Sequence, residues 1–455
     1  MRLLFACEFY YPSVGGVQEV IRQLAERLVE RGHSVTVATS FLPDRKHLEL
    51  NGVVIKQFKV SGNLSSGITG DAGSYRNYVL AGDYDLFMVK AAQQWTVDAL
   101  LPVLDEITKP KVFIPCGFSG LYEPTFAEYF RAMPDVLRKF DHLVFYASNY
   151  RDINLAREHG ISSYSIVPNG ASEREFRVSA DPGFRRRHGI GEEAFVILTV
   201  GSLTGQKGHR EVAAAYELAR LPSLESVLIL NGNTPRPLAT IRSLRVTASA
   251  IAHTFKTFGA IRAAKRVVRG VLIRLKMGWI LTALGYQVAD SVFAVVARIN
   301  RSQTTKRAMI VNLPRDELIQ AYMNSDLFVF ASNIEYSPLV LYEAAAAGLP
   351  FLSVPVGNAA EIAEWTGAGA VCPASQDAQG YTRVDPVVLA QHITELASDA
   401  GRLAALGEAG QRAWSQKFTW EKITDRYEEI FVRLVTGRGR YEAGNPGIVT
   451  RSSSA

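Results

Sequence analysis

The chain has 455 residues, 47% hydrophobic, 21% charged and 10% aromatic, a globular composition too long for one core and suited to about two domains. It contains no charge-free apolar run long enough to span a bilayer, and Met1–Cys7 meets Glu8 too early for a secretory apolar region, so a cytoplasmic location is expected. The net charge is +6, but Arg236–Arg307 alone carries +13, which speaks against a general nucleic-acid protein. Three scattered cysteines, Cys7, Cys116 and Cys372, exclude a disulfide framework or a structural zinc site.

In chain order, residues 2–7 read as a short buried strand, followed by a loop with Pro12, Gly15 and Gly16. Val17–Gly32 has helical apolar spacing at Val20, Ile21, Leu24 and Leu28, and Ser34–Ala38 reads as the next strand. This strand–loop–helix–strand unit builds parallel sheets. Further strands are predicted at Leu86–Val89, Val112–Ile114, Leu143–Phe145 and Ser165–Val167, before the turn Pro168-Asn169-Gly170. Phe195–Val200 opens a second such unit, with the loop Gly201–Gly208, a helix to about Arg220 and the strand Val227–Leu230. Ala308–Val311, Leu327–Phe330 and Phe351–Val354 complete its strands, and the Gly/Arg/Ser-rich tail is expected to fray. The architecture expected is two doubly wound α/β domains facing a cleft.

The strongest chemical pattern follows Leu327–Phe330. In Glu335-Tyr336-Ser337-Pro338-Leu339-Val340-Leu341-Tyr342-Glu343, Ser337 suits an N-cap and Pro338 the first helical position. The free amides of Leu339 and Val340 would then form an anion site. Glu343, one turn on, would lean back to take ribose hydroxyls, while Glu335 faces the group attached to the diphosphate. Two solvated glutamates beside a plain connecting loop are the alternative.

Two glutamates with seven residues between them, with Ser337-Pro338-Leu339 and Gly348-Leu349-Pro350, resemble the signature of retaining glycosyltransferases of family 4. The resemblance runs through Gly15-Gly16-Val17, Arg31-Gly32-His33, Pro168-Asn169-Gly170, Gly201…Lys207-Gly208-His209, Gly357-Asn358…Glu361 and Phe418-Thr419-Trp420-Glu421. It implies a GT-B fold. An acceptor-side Rossmann-like domain would span 1–185 and a nucleotide-sugar domain 186–417, with a basic insertion at 233–307. A helix at 418–436 would cross back to the first domain, and 437–455 would be a tail. Gly15 and Gly16 would admit the donor diphosphate, Lys207 would neutralise the leaving group, and Gly201, Ser202, Pro338, Leu339, Val340 and Glu343 would complete the donor site. Glu335 would hold the donor sugar, with Glu361 a further candidate. The activity implied is transfer from a nucleotide diphosphate sugar to an envelope polysaccharide, glycolipid or lipid-linked acceptor, without metal or cofactor. The rival readings are an inactive nucleotide-sugar-binding scaffold or a GT-B sugar-nucleotide epimerase.

Two positions depart from the family. Ser202 stands where many members carry Arg, and Cys116-Gly117 where many carry His-Gly. A neutral thiol cannot make the charge-assisted hydrogen bond of an imidazolium. Arg210, Arg174 and Lys90 are the candidate replacement cations. Asp83-Tyr84-Asp85 has the form of a metal-binding D-x-D but reads as the polar lead into Leu86–Val89, and the eight histidines show no ligand spacing.

In the basic insertion, Ile261, Val268, Leu272 and Trp279 fall on one helical side. Arg262, Lys265, Arg266, Arg269 and Lys276 gather beside them. That is the pattern of a basic amphipathic helix on an anionic membrane surface; a helix packed on the second domain with a solvated basic face is the alternative.

Overall fold

The computed structural model describes residues 1–233, 291–302 and 304–437. The insertion residues Arg262, Lys265, Arg266, Arg269, Lys276 and Trp279, and the tail from 438, lie outside them.

The first domain is built on β1 (Arg2–Ala6), β2 (Ser34–Ser40), β3 (Glu49–Leu50), β4 (Val53–Phe58), β7 (Leu86–Lys90), β8 (Lys111–Ile114), β9 (His142–Phe145) and β10 (Tyr164–Ile166). A separate hairpin joins β5 (Val60–Asn63) to β6 (Gly67–Gly70). The sheet order is β10-β9-β8-β7-β1-β2-β4-β3, parallel except for β3 against β4. Helices cover both faces, so the central strands are apolar throughout rather than alternating; every residue of Leu86–Val89 is fully buried.

The second domain has β11 (Phe195–Val200), β12 (Ser226–Asn231), β13 (Lys306–Val311), β14 (Leu327–Phe330), β15 (Phe351–Ser353) and β16 (Gly369–Val371). Their order is β13-β12-β11-β14-β15-β16, all parallel. Counted from β11, this is the 3-2-1-4-5-6 order of a doubly wound sheet. The order reverses between β11 and β14, and the loops leaving that point open a crevice at the carboxyl ends of the strands. The first sheet reverses between β1 and β7, so each domain brings one crevice to the shared cleft.

The helix Trp420–Thr436 belongs to the first domain's core although the chain reaches it from the second. The Thr419 side chain caps it by accepting from Lys422 N at 3.3 Å. Trp420, Ile423, Tyr427, Ile430 and Phe431 are buried with Leu3, Phe5, Ile21 and Leu24. Phe431 meets Phe5 edge-on at 6.0 Å. On its polar side Arg31 holds Asp425 at 2.8 Å and Glu428 at 2.6 Å.

One local expectation changes, and the reading of Asp83-Tyr84-Asp85 as a polar strand entry holds. The helix after Glu335 begins at Leu339, with Pro338 extended at the cap, and Ser337 gives no capping bond; its Oγ is buried without a hydrogen-bond partner. Asp83 and Asp85 both pair with Arg2, the Asp85 contact at 2.6 Å, which ties the start of β1 to the lead into β7.

Candidate functional site

Lys207 and Glu335 meet at the switch point of the second sheet. Lys207 lies in the loop leaving β11 and Glu335 in the loop leaving β14, 128 residues apart in sequence. Lys207 Nζ donates to Glu335 Oε1, and Ser332 Oγ donates to the same oxygen at 3.1 Å. Both side chains keep some exposure, 30% and 17%, so the pair faces the cleft rather than the core. Gly208 makes the close approach of these loops feasible. Its φ is +69°, and a Cβ there would lie 1.8 Å from Ala331 O, so no other residue fits. His209 then donates from Nε2 to Gly201 O at 2.8 Å, and burial keeps its ring neutral by lowering its pKa. That brace was not legible in the sequence. Ser202 sits in the same loop and brings no charge.

The helix Leu339–Ala346 points its N-terminus across the cleft at the start of the first domain's helix Gly16–Glu30. A Cβ on Gly16 would come no nearer than 3.9 Å, to Leu339 Cδ1. Nothing in the folded chain therefore demands glycine at position 16.

Glu343 is not beside Lys207 and Glu335. It is buried one turn along the helix, with Arg315 Nη2 donating to Oε1 at 2.6 Å and Tyr322 Oη to Oε2 at 3.0 Å. Arg315 also holds Glu175 at 2.8 Å. Two of the carboxylate's roughly four lone-pair directions are thus used within the chain.

The first-domain wall is the Cys116–Gly117 turn, and three consecutive residues there are left-handed: Cys116 (φ 66°), Gly117 (φ 90°) and Phe118 (φ 51°). Positive φ at two non-glycine residues costs of order 1–3 kcal/mol each and clusters at working sites. The turn is held by Asp152, whose Oδ2 accepts from Gly117 N at 2.8 Å and Oδ1 from Ile153 N at 2.9 Å. Tyr336, next to Glu335, reaches across from the second domain. Its ring stacks on Tyr146 at 5.4 Å and Tyr150 at 5.1 Å, its hydroxyl accepts from Tyr146 N at 2.8 Å, and it hydrogen-bonds Asp152. A Cβ on Gly117 would sit 2.6 Å from Tyr336 Cγ. Tyr150 Oη donates to Glu335 O at 2.7 Å. Burial pushes Asp152 up to about 6, against the hydrogen bonds that lower it. Sequence reasoning missed Tyr336, Tyr150 and Asp152, whose roles arise from contacts between the two domains.

Comparisons with known proteins bear on this geometry. The family model described as Glycosyltransferase Family 4 matches residues 14–174, and that for Glycosyl transferases group 1 matches 300–412. Together they take in more than half of the chain and both sides of the cleft. The chain belongs to the group 1, family 4-type glycosyltransferases.

No curated protein matches it. Among solved structures, it is similar to sucrose-phosphate synthase from Thermosynechococcus elongatus at 16% identity and TM-score 0.66, over 96% of this chain and 99% of that one. HepE of Anabaena, solved with UDP, matches at 16% identity and TM-score 0.63, over 95% and 100%. WaaG, a glycosyltransferase involved in lipopolysaccharide biosynthesis, matches at 16% and 0.57, over 94% and 99%. These likenesses show the fold, GT-B.

Within this glycosyltransferase, the remaining candidates fall away from the Lys207–Glu335 pair. Glu361 bridges the domains, accepting from Ser148 N at 3.0 Å. Arg174 pairs with Glu30 on the surface. Lys90 is buried against Tyr146, donating to its hydroxyl, and burial lowers its pKa to about 8. Arg210 remains in the first turn of the helix that follows Lys207, with Glu211 at 3.3 Å. Burial raises the Cys116 thiol, so it faces the site uncharged. Among the described residues no cluster of three or more His, Cys, Asp or Glu could hold a metal ion, and no helix is long and apolar enough to cross a membrane.

Proposed function

We propose that this glycosyltransferase moves a sugar from a nucleotide diphosphate sugar to a saccharide-bearing acceptor, with retention at the anomeric carbon. The carrying observation is the Lys207–Glu335 pair at the β11/β14 switch point, with Gly16 of the first domain facing Leu339 at the N-terminus of Leu339–Ala346. On donor binding, Lys207 turns to the diphosphate and Glu335 accepts hydrogen bonds from the sugar. The amides of Leu339 and Val340 complete the phosphate cradle. Gly16 keeps the opposite wall open to the diphosphate, which gives the glycine a use that no contact within the chain supplies. Glu343 offers its remaining lone pairs to the ribose while Arg315 and Tyr322 fix its orientation.

In transfer, the bond from C1 to the β-phosphate oxygen breaks and the acceptor oxygen bonds to C1 on the same face. The departing phosphate oxygen takes the acceptor proton. Lys207 and the helix N-terminus stabilise the charge that develops, so no metal is needed in this scheme. HepE has been solved with UDP and with UDP-glucose, which favours a nucleotide diphosphate donor here. The acceptor class proposed is an envelope polysaccharide, glycolipid or lipid-linked glycan, reached by a protein held peripherally on an anionic inner membrane face through its basic insertion.

Uncharged Ser202 and Cys116 favour a second reading, a donor-binding scaffold without turnover. Release of nucleotide from UDP-glucose, ADP-glucose and GDP-mannose separates the readings. Release that needs an added saccharide and persists in EDTA supports the transferase. Conversion of the sugar-nucleotide without a saccharide indicates an epimerase, and no turnover with retained binding indicates the scaffold.

A further inference from the structure

Two cavities lie side by side between the domains. The inner one, about 330 Å³, is lined by Cys116, Gly117, Glu335 and Tyr336 and belongs to the transfer centre. The outer one, about 650 Å³, shares Tyr150 and Ile334 with it. Because Glu335 follows Ile334 directly, and Tyr150 Oη bonds Glu335 O, a molecule in the outer cavity lies next to the reacting sugar. Its size falls within the range of small-ligand sites.

The outer lining differs in chemistry from the donor side. Its one cation among the described residues is Arg151, and both terminal nitrogens of that guanidinium already donate to carbonyls, Ser119 O at 3.0 Å and Gly380 O at 2.8 Å. Those two bonds fix the guanidinium in the wall, and it is a single cation, with the carboxylate of Glu158 in the same lining, where a diphosphate would call for several. What converges instead is side-chain amide and carboxylate. Asn154 donates to Asn149 at 2.9 Å, which leaves donor and acceptor capacity on both amides, and Gln376 and Glu158 have no side-chain partner among the described residues. Each such group can match a hydroxyl, which both donates and accepts. Tyr122 adds a ring 56% exposed, held from the other side by the Arg151 guanidinium at 4.7 Å. Amides with spare donors and acceptors, one acid and an exposed aromatic ring suit a neutral, hydroxyl-rich ring.

We propose that the outer cavity is a saccharide subsite for the acceptor, taking the sugar unit adjoining the one that receives the donor sugar. The inference rests on the transferase reading for the word acceptor, but the site itself stands on the cavity and its lining. First-domain residues 149–158 and second-domain residues 376–382 form opposite walls, so an occupant touches both domains.

The test is saturation-transfer NMR of the full chain with maltose, cellobiose and lactose as probes. Wild type is compared with Tyr122→Ala and Asn154→Ala, and UDP is titrated in parallel. The expected result is binding of at least one disaccharide, weakened tenfold or more by Tyr122→Ala and measurably by Asn154→Ala, with UDP affinity unchanged. Tyr122 is exposed, and UDP binding by the variant reports that it is folded. Disaccharide binding unaltered by both substitutions, or no disaccharide binding by protein that binds UDP, overturns the subsite. If wild type takes a disaccharide in a Tyr122-dependent way but no nucleotide, the subsite stands and the donor reading falls.

Discussion

At the scale of single residues, the account turns on Lys207 and Glu335, which share a hydrogen bond across two loops. In the proposed transfer, removing Lys207 takes away charge stabilisation of the departing diphosphate, and removing the Glu335 carboxylate takes away an acceptor for the donor sugar. Lys207→Ala and Glu335→Gln are each expected to lower turnover by about 10²–10³, with Lys207→Ala also weakening nucleotide binding; an initial-rate assay across donor concentrations separates the two effects. Asp152 gives a pH test. Its folded pKa of about 6 lies above the ordinary value near 3.9, so its contribution to stability is full below about pH 4 and is lost as pH rises through 6. Asp152→Asn removes that loss. Relative to wild type, the variant should gain on the order of 2–3 kcal/mol between pH 4 and 7, read from urea midpoints; an unchanged difference across that window contradicts the assignment. Lys207 and Glu335 were legible because the motifs that hold them, Gly201…Lys207-Gly208-His209 and the spaced glutamate pair, are local patterns that carry the family resemblance. Asp152 and Tyr336 were not, because their meaning comes from a partner 184 positions away in a different domain, and no local spacing encodes that.

At the scale of elements, most strands were legible for one reason. A parallel sheet covered on both faces needs near-continuous apolar runs, and Phe195–Val200 and Leu86–Lys90 are such runs. Between Ala38 and Leu86 no element was read, although the structure places β3–β6 and the helix Ala72–Ala81 there. The hairpin strands Val60–Asn63 and Gly67–Gly70 are short, contain glycine and are largely exposed, so they carry neither an apolar run nor clean alternation, whereas Val53–Phe58 does alternate in burial but places apolar Val54 on its exposed side. The helix Trp420–Thr436 was anticipated through the family resemblance at Phe418-Thr419-Trp420-Glu421, and the Thr419 cap that starts it came only with the structure. Its packing on the first domain makes a firm prediction. Phe431→Ala empties a fully buried site against Phe5 and should cost about 3–5 kcal/mol. Thermal melts should show the first domain affected although the substitution lies near the end of the chain.

At the scale of the whole molecule, two crevices face one another, and a few contacts fix their relation: Tyr336 between Tyr146 and Tyr150, Glu361 on Ser148, and Asn358 donating to Tyr146 O at 3.0 Å. Each joins a loop or a helix start at the carboxyl ends of strands, where such sheets bind ligands. The charge distribution adds a prediction for the full chain. Replacing Arg262, Lys265, Arg266 and Arg269 by Ser should abolish flotation with anionic vesicles, at roughly 1 kcal/mol per basic residue; unchanged flotation would reject the membrane surface as partner. The most direct measurement of the central claim is calorimetric titration of the chain with UDP, GDP, ADP, CMP and TDP, beside Lys207→Ala and Glu343→Ala. The account predicts that one nucleoside diphosphate binds and that both substitutions weaken it. Binding of none, or binding indifferent to both, would contradict a donor site at the β11/β14 switch point.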